Sequence, residues 1–237
     1  MKAMILAAGF GTRLQPMTDS LPKALIPLAG KPMIEHTIEA LIRSGVTEIV
    51  VNLHHHAEIM RSYFQRHRFD AAIHLIEEKE ILGTGGGIAN ARALLDGANP
   101  FLVHNVDIFS EVDLQSIYST CDANALATLL VNKRKTSRPL FVDRGGIFLG
   151  KVEWFREESW ENRLQEEYAE VGFCGIHVLS PKIFSFMHEG AYDIFETYRR
   201  AVEAGEKICV KDIGDAFWID LGTKERIERC EVRLRDR

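Results

Sequence analysis

Four cysteines in 237 residues, at positions 121, 174, 209 and 230, form no CxxC pair, so neither a disulfide framework nor a zinc knuckle is supported. Excess positive charge is missing too. The formal net charge is −5, which argues against a nucleic-acid partner, because such a protein needs a basic face to replace the counterions of the phosphates. A small anionic ligand needs only a local basic pocket. No apolar run approaches membrane-spanning length, and the run Met1 to Gly9 is too short for a secretory h-region and has no basic stretch before it. The expected compartment is the cytoplasm, with no membrane partner. Repeats, low-complexity tracts and a clear linker are also lacking, and 46% hydrophobic with 27% charged residues is ordinary globular composition. One domain over residues 1–237 with one core is expected.

What is present is an alternation of strand-like apolar runs with helical patterns, the mark of parallel strands joined by crossover helices. Met4–Leu6 reads as the first strand, Glu48–Leu53 as the second, 71–76 as the third and 100–105 as the fourth. Ile34, Ile38, Leu41 and Ile42 recur at helical spacing and stop at Ser44-Gly45, where glycine can take a left-handed cap. Thr84 is placed to cap a helix running to about Leu95. Beyond Asp113 the pattern gives a helix to about Cys121, a strand over 125–131, a hairpin around Leu140–Val142 and 147–149 turning at 143–146, a strand over 171–179, a helix over 194–204, a short strand over 217–219 and a charged terminal helix from Thr223. The fold class is α/β, a Rossmann-like, mixed and mainly parallel sheet flanked by helices.

The densest motif is Leu6-Ala7-Ala8-Gly9-Phe10-Gly11-Thr12-Arg13-Leu14, continued by Leu21-Pro22-Lys23-Ala24-Leu25. Small residues directly after a strand let backbone N–H groups approach a phosphate or a base. The planar fork of Arg13 suits the β- and γ-phosphates, and the compact charge of Lys23 suits the α-phosphate or a sugar phosphate. A dinucleotide fingerprint would need a third glycine where Leu14 stands, and a Walker loop needs Gly-Lys-Ser/Thr, so this is a different cradle. Asp107 follows the fourth strand, at the carboxyl edge where ligands of open α/β sheets bind. Asp220, in Trp218-Ile219-Asp220-Leu221-Gly222-Thr223, ends a short strand; the two carboxylates can form a Mg²⁺ pair, the ion keeping its other positions for phosphate and water. In Leu82-Gly83-Thr84-Gly85-Gly86-Gly87-Ile88, consecutive glycines weaken a helix by about 1 kcal/mol each relative to alanine, and close approach of a base or ribose is a reason for them. His54-His55-His56 reads as a solvated loop, since adjacent side chains point apart and cannot converge on one ion. The terminal run from Lys224 reads as exposed, paired charge of little individual weight.

Together the AAGxGTRL loop, the PKxL continuation, LGTGGGI, the aspartate after strand four and WIDLGT resemble the sugar-1-phosphate nucleotidyltransferases over nearly the whole chain. The resemblance implies transfer of a nucleotidyl group from a nucleoside triphosphate to a sugar 1-phosphate with loss of pyrophosphate. It implies Arg13, Lys23 and Asp107 as catalytic residues. Leu6, Ala7, Ala8, Gly9, Gly11, Thr12, Arg13, Gly83, Thr84, Gly85 and Asn105 would hold the nucleotide, and Asp107 with Asp220 the Mg²⁺. Residues 1–123 would be the nucleotide half and 124–237 the sugar half, with Gly172, Gly175, Arg134 and Arg138 on the sugar side. Within the family, the short chain and the TGGGI segment look most like the uridylyltransferases acting on N-acetylmuramate 1-phosphate in cell-wall sugar recycling. In that case Arg134 or Arg138 would hold the lactyl carboxylate. A guanylyl- or thymidylyltransferase of a hexose 1-phosphate is the alternative, and a binding module without chemistry is another, against which Arg13, Lys23, Asp107 and Asp220 stand together. Two positions depart from the family pattern: Val106 stands where glycine is usual, and Phe10 where a polar residue is common. The stretch 151–170 matches nothing recognisable.

Overall fold

A computed structural model describes residues 1–97, 99–157, 160 and 167–235. The core begins with strand β1, Lys2–Leu6, whose Ala3, Met4 and Ile5 are fully buried. After a loop of short 3₁₀ turns come two small paired strands, β2 (Pro27–Leu28) and β3 (Lys31–Pro32), and helix α1, Met33–Arg43. Helix α1 buries Ile34, Ile38 and Leu41 completely and ends at Gly45, which has φ 86°, the left-handed cap expected there. Strand β4 (Glu48–Leu53), helix α2 (Ala57–Arg66), strand β5 (Ala72–Glu77), helices α3 (Gly83–Asn90) and α4 (Arg92–Leu95), and strand β6 (Phe101–Asn105) follow. Strands β4 and β6 flank β1, and β5 flanks β4, all parallel. Central parallel strands are buried on both faces, which is why 49–51 and 101–103 are unbroken apolar runs.

The second half adds strand β7 (Ile108–Ser110), helix α5 (Leu114–Ser119), strands β8 (Ala127–Asn132), β9 (Leu140–Val142), β10 (Phe148–Lys151) and β11 (Ala169–Leu179), helix α6 (Ile194–Glu203), strands β12 (Ile208–Asp212) and β13 (Trp218–Asp220), and helix α7 (Lys224–Arg235). Strand β11 runs antiparallel to both β6 and β8, and its outer end pairs with β9, so nine strands form one mixed sheet with a parallel centre. The small ribbon of β7 and β13 stands apart from that sheet.

Some expectations shift. The helix expected from Thr84 to Leu95 breaks at Ala91 into α3 and α4, and Thr84 lies inside its first turn, where its Oγ1 accepts the Ile194 amide rather than capping its own helix. The helix from Asp113 ends at Ser119, with Asp113 accepting the Ser116 amide as its cap. The sequence reading places nothing over α2 or β12. Only Ile208 of β12 is buried, so it carries no period-two pattern; pairing with β8 makes it a strand. Part of 151–170 lies outside the described residues, but Trp154 and Trp160 are buried core, the Trp160 indole donating to Glu203.

Candidate active site

The carboxyl ends of β1, β4 and β6 open into a cleft lined by Leu6, Ala7, Ala8, Gly9, Lys23, Gly83, Thr84, Asn105 and Asp107. Gly11 turns the loop beyond it with φ 66°. A Cβ there would lie 2.8 Å from Thr18 Cγ2 and 3.0 Å from Lys23 Cβ, so glycine lets the loop fold back onto the lysine. Thr12 and Arg13 project into solvent.

Asp107 and Asp220 come together through the β7–β13 ribbon. Asp220 pairs in register with Ile108, and the Leu221 amide donates to the Asp107 carbonyl at 2.7 Å. Lys23 Nζ bonds Asp107 Oδ2. Asp220 Oδ1 accepts the Gly222 amide at 2.7 Å and faces Arg226 at 3.3 Å and Arg13 at 3.9 Å. A Cβ on Gly222 would fall 2.4 Å from the Arg13 guanidinium, so this glycine makes the room in which Arg13 lies. Three cations thus meet two carboxylates, an arrangement left with attraction for an anion. Among the described residues no cluster of three or more metal-ligating side chains exists. Two neighbouring carboxylates fit Mg²⁺ coordinated mainly by phosphate oxygens and water rather than by a protein cage. Behind Asp107, His104 is fully enclosed; burial lowers its pKa to about 4, and its Nδ1 meets the Asn105 carbonyl at 2.8 Å.

The glycine run is explained differently from the expectation. A Cβ at Gly85 would overlap the Tyr192 ring at 2.2 Å, one at Gly86 the Gly190 carbonyl at 2.1 Å, and one at Gly87 Asn52 Nδ2 and Glu78 Oε1, each at 2.9 Å. These positions are filled by other parts of the chain. Gly83 and Thr84 line the cleft, whereas Gly85 does not.

The sugar side is also reassigned. Arg134 is committed inside the protein: Nη1 donates to Asn132 Oδ1 and Nη2 to the Phe173 carbonyl, both at 2.6 Å, and the guanidinium lies 4.3 Å from the centre of the Trp218 ring. Gly172 lacks a side chain where that guanidinium passes, since a Cβ would be 2.6 Å from it. Gly175, at φ 73°, packs against Asn105 and Ile108. Arg138 is exposed. Of these four, Gly175 is the one in contact with a cleft residue.

His54 bonds the Glu78 carbonyl at 2.9 Å, His56 takes φ 56° at the start of α2, and Phe10 packs its ring on His54 and His55. The triplet is thus tied into the fold more than a solvated loop would be. Val106 buries its side chain in the core and its amide donates to the Leu6 carbonyl. Sequence reasoning missed Arg226, which sits in the first turn of α7 where a cation is unfavourable to the helix dipole; Asp220 explains it. It also missed Asn52 and Glu78; a polar residue at the end of the apolar run 49–53 was the available signal for the first.

The sheet, the loop after β1 and the charged edge define an α/β enzyme that handles phosphorylated ligands. The nucleotidyl transferase family matches residues 2–236. The N-acetylmuramate alpha-1-phosphate uridylyltransferase of Caulobacter vibrioides is 30% identical over 98% of this chain and 96% of its own length. The probable mannose-1-phosphate guanylyltransferase 2 of Oryza sativa subsp. japonica is 42% identical over 94% of this chain, which spans 61% of that protein. HddC of Yersinia pseudotuberculosis, crystallised with GMP-PN, shares the fold with a TM-score of 0.77 at 22% identity, over 98% of this chain and 99% of its own. The chain belongs to the nucleotidyl transferase family, and within it to the sugar-1-phosphate nucleotidyltransferases.

Proposed function

We propose that the chain couples UTP to N-acetylmuramate 1-phosphate and releases pyrophosphate. The carrying observation is the similarity to the Caulobacter uridylyltransferase, which covers 98% of this chain and 96% of that protein at 30% identity. The bond formed joins an oxygen of the sugar phosphate to the α-phosphorus, and the bond broken frees pyrophosphate on the opposite side. No side-chain nucleophile is needed, because the attacking phosphate is already ionised near neutral pH. The chain's part is to bring two anions together and neutralise the charge that develops. Ala7, Ala8, Gly9, Gly83, Thr84 and Asn105 would enclose the base and ribose, Gly11, Thr12 and Arg13 the triphosphate, and Lys23 the reacting phosphates. Asp107 and Asp220 would hold Mg²⁺, which supplies Lewis-acid neutralisation of phosphate oxygens when bound.

The 42% identity to the rice protein supports a second reading, GTP with mannose 1-phosphate. Pyrophosphate release measured across UTP, GTP, CTP and dTTP, each with N-acetylmuramate, N-acetylglucosamine, mannose and glucose 1-phosphates, decides between them. The highest kcat/KM is expected for UTP with N-acetylmuramate 1-phosphate. A clear preference for GTP with mannose 1-phosphate overturns the first reading in favour of the second.

A further inference from the structure

Two polar side chains at the cleft, Asn52 in its lining and Glu78 behind it, are only 2% and 3% exposed. The chemistry above uses neither. The Ala7 amide donates to Asn52 Oδ1 at 2.7 Å, Asn52 Nδ2 donates to Glu78 Oε1 at 2.6 Å, and Glu78 Oε2 accepts the Leu82 amide at 2.9 Å. A chain of hydrogen bonds therefore runs from the first residue after β1 to the residue before α3, across the back of the cleft, with both terminal amides donating inward and the Glu78 carboxylate accepting from each side. Both ends adjoin residues that line it: Ala7 itself and Ala8 on one side, Gly83 and Thr84 on the other.

The backbone holds both side chains in place. Asn52 is the register partner of Leu6, and the Glu78 amide donates to the Leu53 carbonyl at 2.8 Å. Gly87 is bare on the side facing them, so the glycine helix can lie against the pair. A buried carboxylate is costly unless its oxygens are bonded, and here each oxygen has a donor of its own. Such a network tolerates one spacing between its ends, because stretching either end leaves a buried polar group without a partner.

We infer that Asn52 and Glu78 are positioning residues, a clamp that fixes the distance between the loop after β1 and the Leu82–Thr84 segment and so presets the width of the nucleotide cleft. This rests on the nucleotide site proposed above.

The test reverses the polarity of the clamp. Asn52→Asp alone sets two carboxylates against each other; with Glu78→Gln added, the new carboxylate can accept both the Ala7 amide and the glutamine NH₂, while the glutamine carbonyl accepts Leu82. With the best triphosphate of the parent enzyme, Asn52→Asp and Asn52→Ala should raise the triphosphate KM about tenfold or more, with kcat and the sugar-phosphate KM within about threefold. The double variant should recover most of the parental value. Parental KM in both single variants, or a double variant no better than Asn52→Asp, overturns the clamp. Where Asn52→Ala fails to fold, the Asp/Gln pair decides. A parent that binds no triphosphate removes the proposed function but leaves the clamp testable: amide exchange in the ligand-free protein should quicken at Ala7 and Leu82 in Asn52→Asp and slow again in the double variant. Unchanged exchange at both amides rejects it.

Discussion

Lys23 and Asp107 meet with 11% and 18% of their side chains exposed, while Arg13 and Asp220, at the same sheet edge, are 58% and 27% exposed. The inner pair is a direct hydrogen bond beneath the loop that Gly11 folds back; the outer one is a loose contact shared with Arg226. An inner charge deprived of its partner stays half-buried at the cleft, where losing the partner costs more than it does at the open surface. An outer charge deprived of its partner turns to water at little cost. The inner pair is thus suited to hold fixed geometry, and the outer arginines to move toward a ligand.

The largest expected effect tests that difference at its centre. Asp107→Ala should lower kcat by on the order of 10²–10³-fold and also lower Tm, whereas Asp220→Ala should lower activity with little change in Tm. Steady-state kinetics and thermal melts on the two variants check this, and equal Tm losses would break the contrast. Next, Lys23→Ala should reduce kcat more than it raises either KM, while Arg13→Ala should raise the triphosphate KM by about tenfold with a smaller change in kcat. A Lys23→Ala enzyme of normal kcat contradicts the fixed role of the inner pair.

Acid should reach the inner region through its histidines. Burial lowers the pKa of His104 to about 4, and burial, with the nearby His104, lowers that of His177 to about 3. Below pH 6.5 the unfolded chain takes up protons that the folded chain refuses. Stability should therefore be complete above that pH and fall toward pH 4 by about 1.4 kcal/mol per pH unit for each histidine. Thermal melts at pH 7, 6 and 5 measure it; an unchanged Tm would mean that neither imidazole is held neutral in the interior.

The smallest effects lie at the far edge. Arg138→Ala should leave N-acetylmuramate and N-acetylglucosamine 1-phosphates used as in the parent. Arg134→Ala should depress both together by a few-fold, because it loosens Phe173 and Trp218, and Trp218 lies in the strand that ends in Asp220. Loss of the acidic sugar alone in Arg134→Ala would return that arginine to a selecting role.

What could be read from the sequence follows the range of the interactions. The strand over 48–53, the helix capped at Gly45 and the loop after Leu6 are governed by neighbours a few residues away, and they stand where the pattern puts them. Arg134, Gly85 and β12 were misjudged or unread because their partners are distant: Trp218 and Phe173, Tyr192, and β8. A run of four cations around 133–138 looks like a binding loop until its central arginine is found supporting the protein's own strands. Asp107 and Asp220 could be nominated singly from their places after strands; that they are neighbours is a property of the β7–β13 ribbon, which no local pattern announces.

The glycine helix α3 borrows its side chains from elsewhere. Tyr192 and Gly190 fill the places beside Gly85 and Gly86, and the Tyr192 carbonyl accepts the Gly85 amide at 2.9 Å. Positions 85–86 and 190–192 therefore pack as one unit spread over two stretches of chain. Relatives that carry a larger residue at 85 should carry a smaller ring, or none, at 192, and a chimera joining the first half of one relative to the second half of another should fail at this seam before it fails at the charged edge.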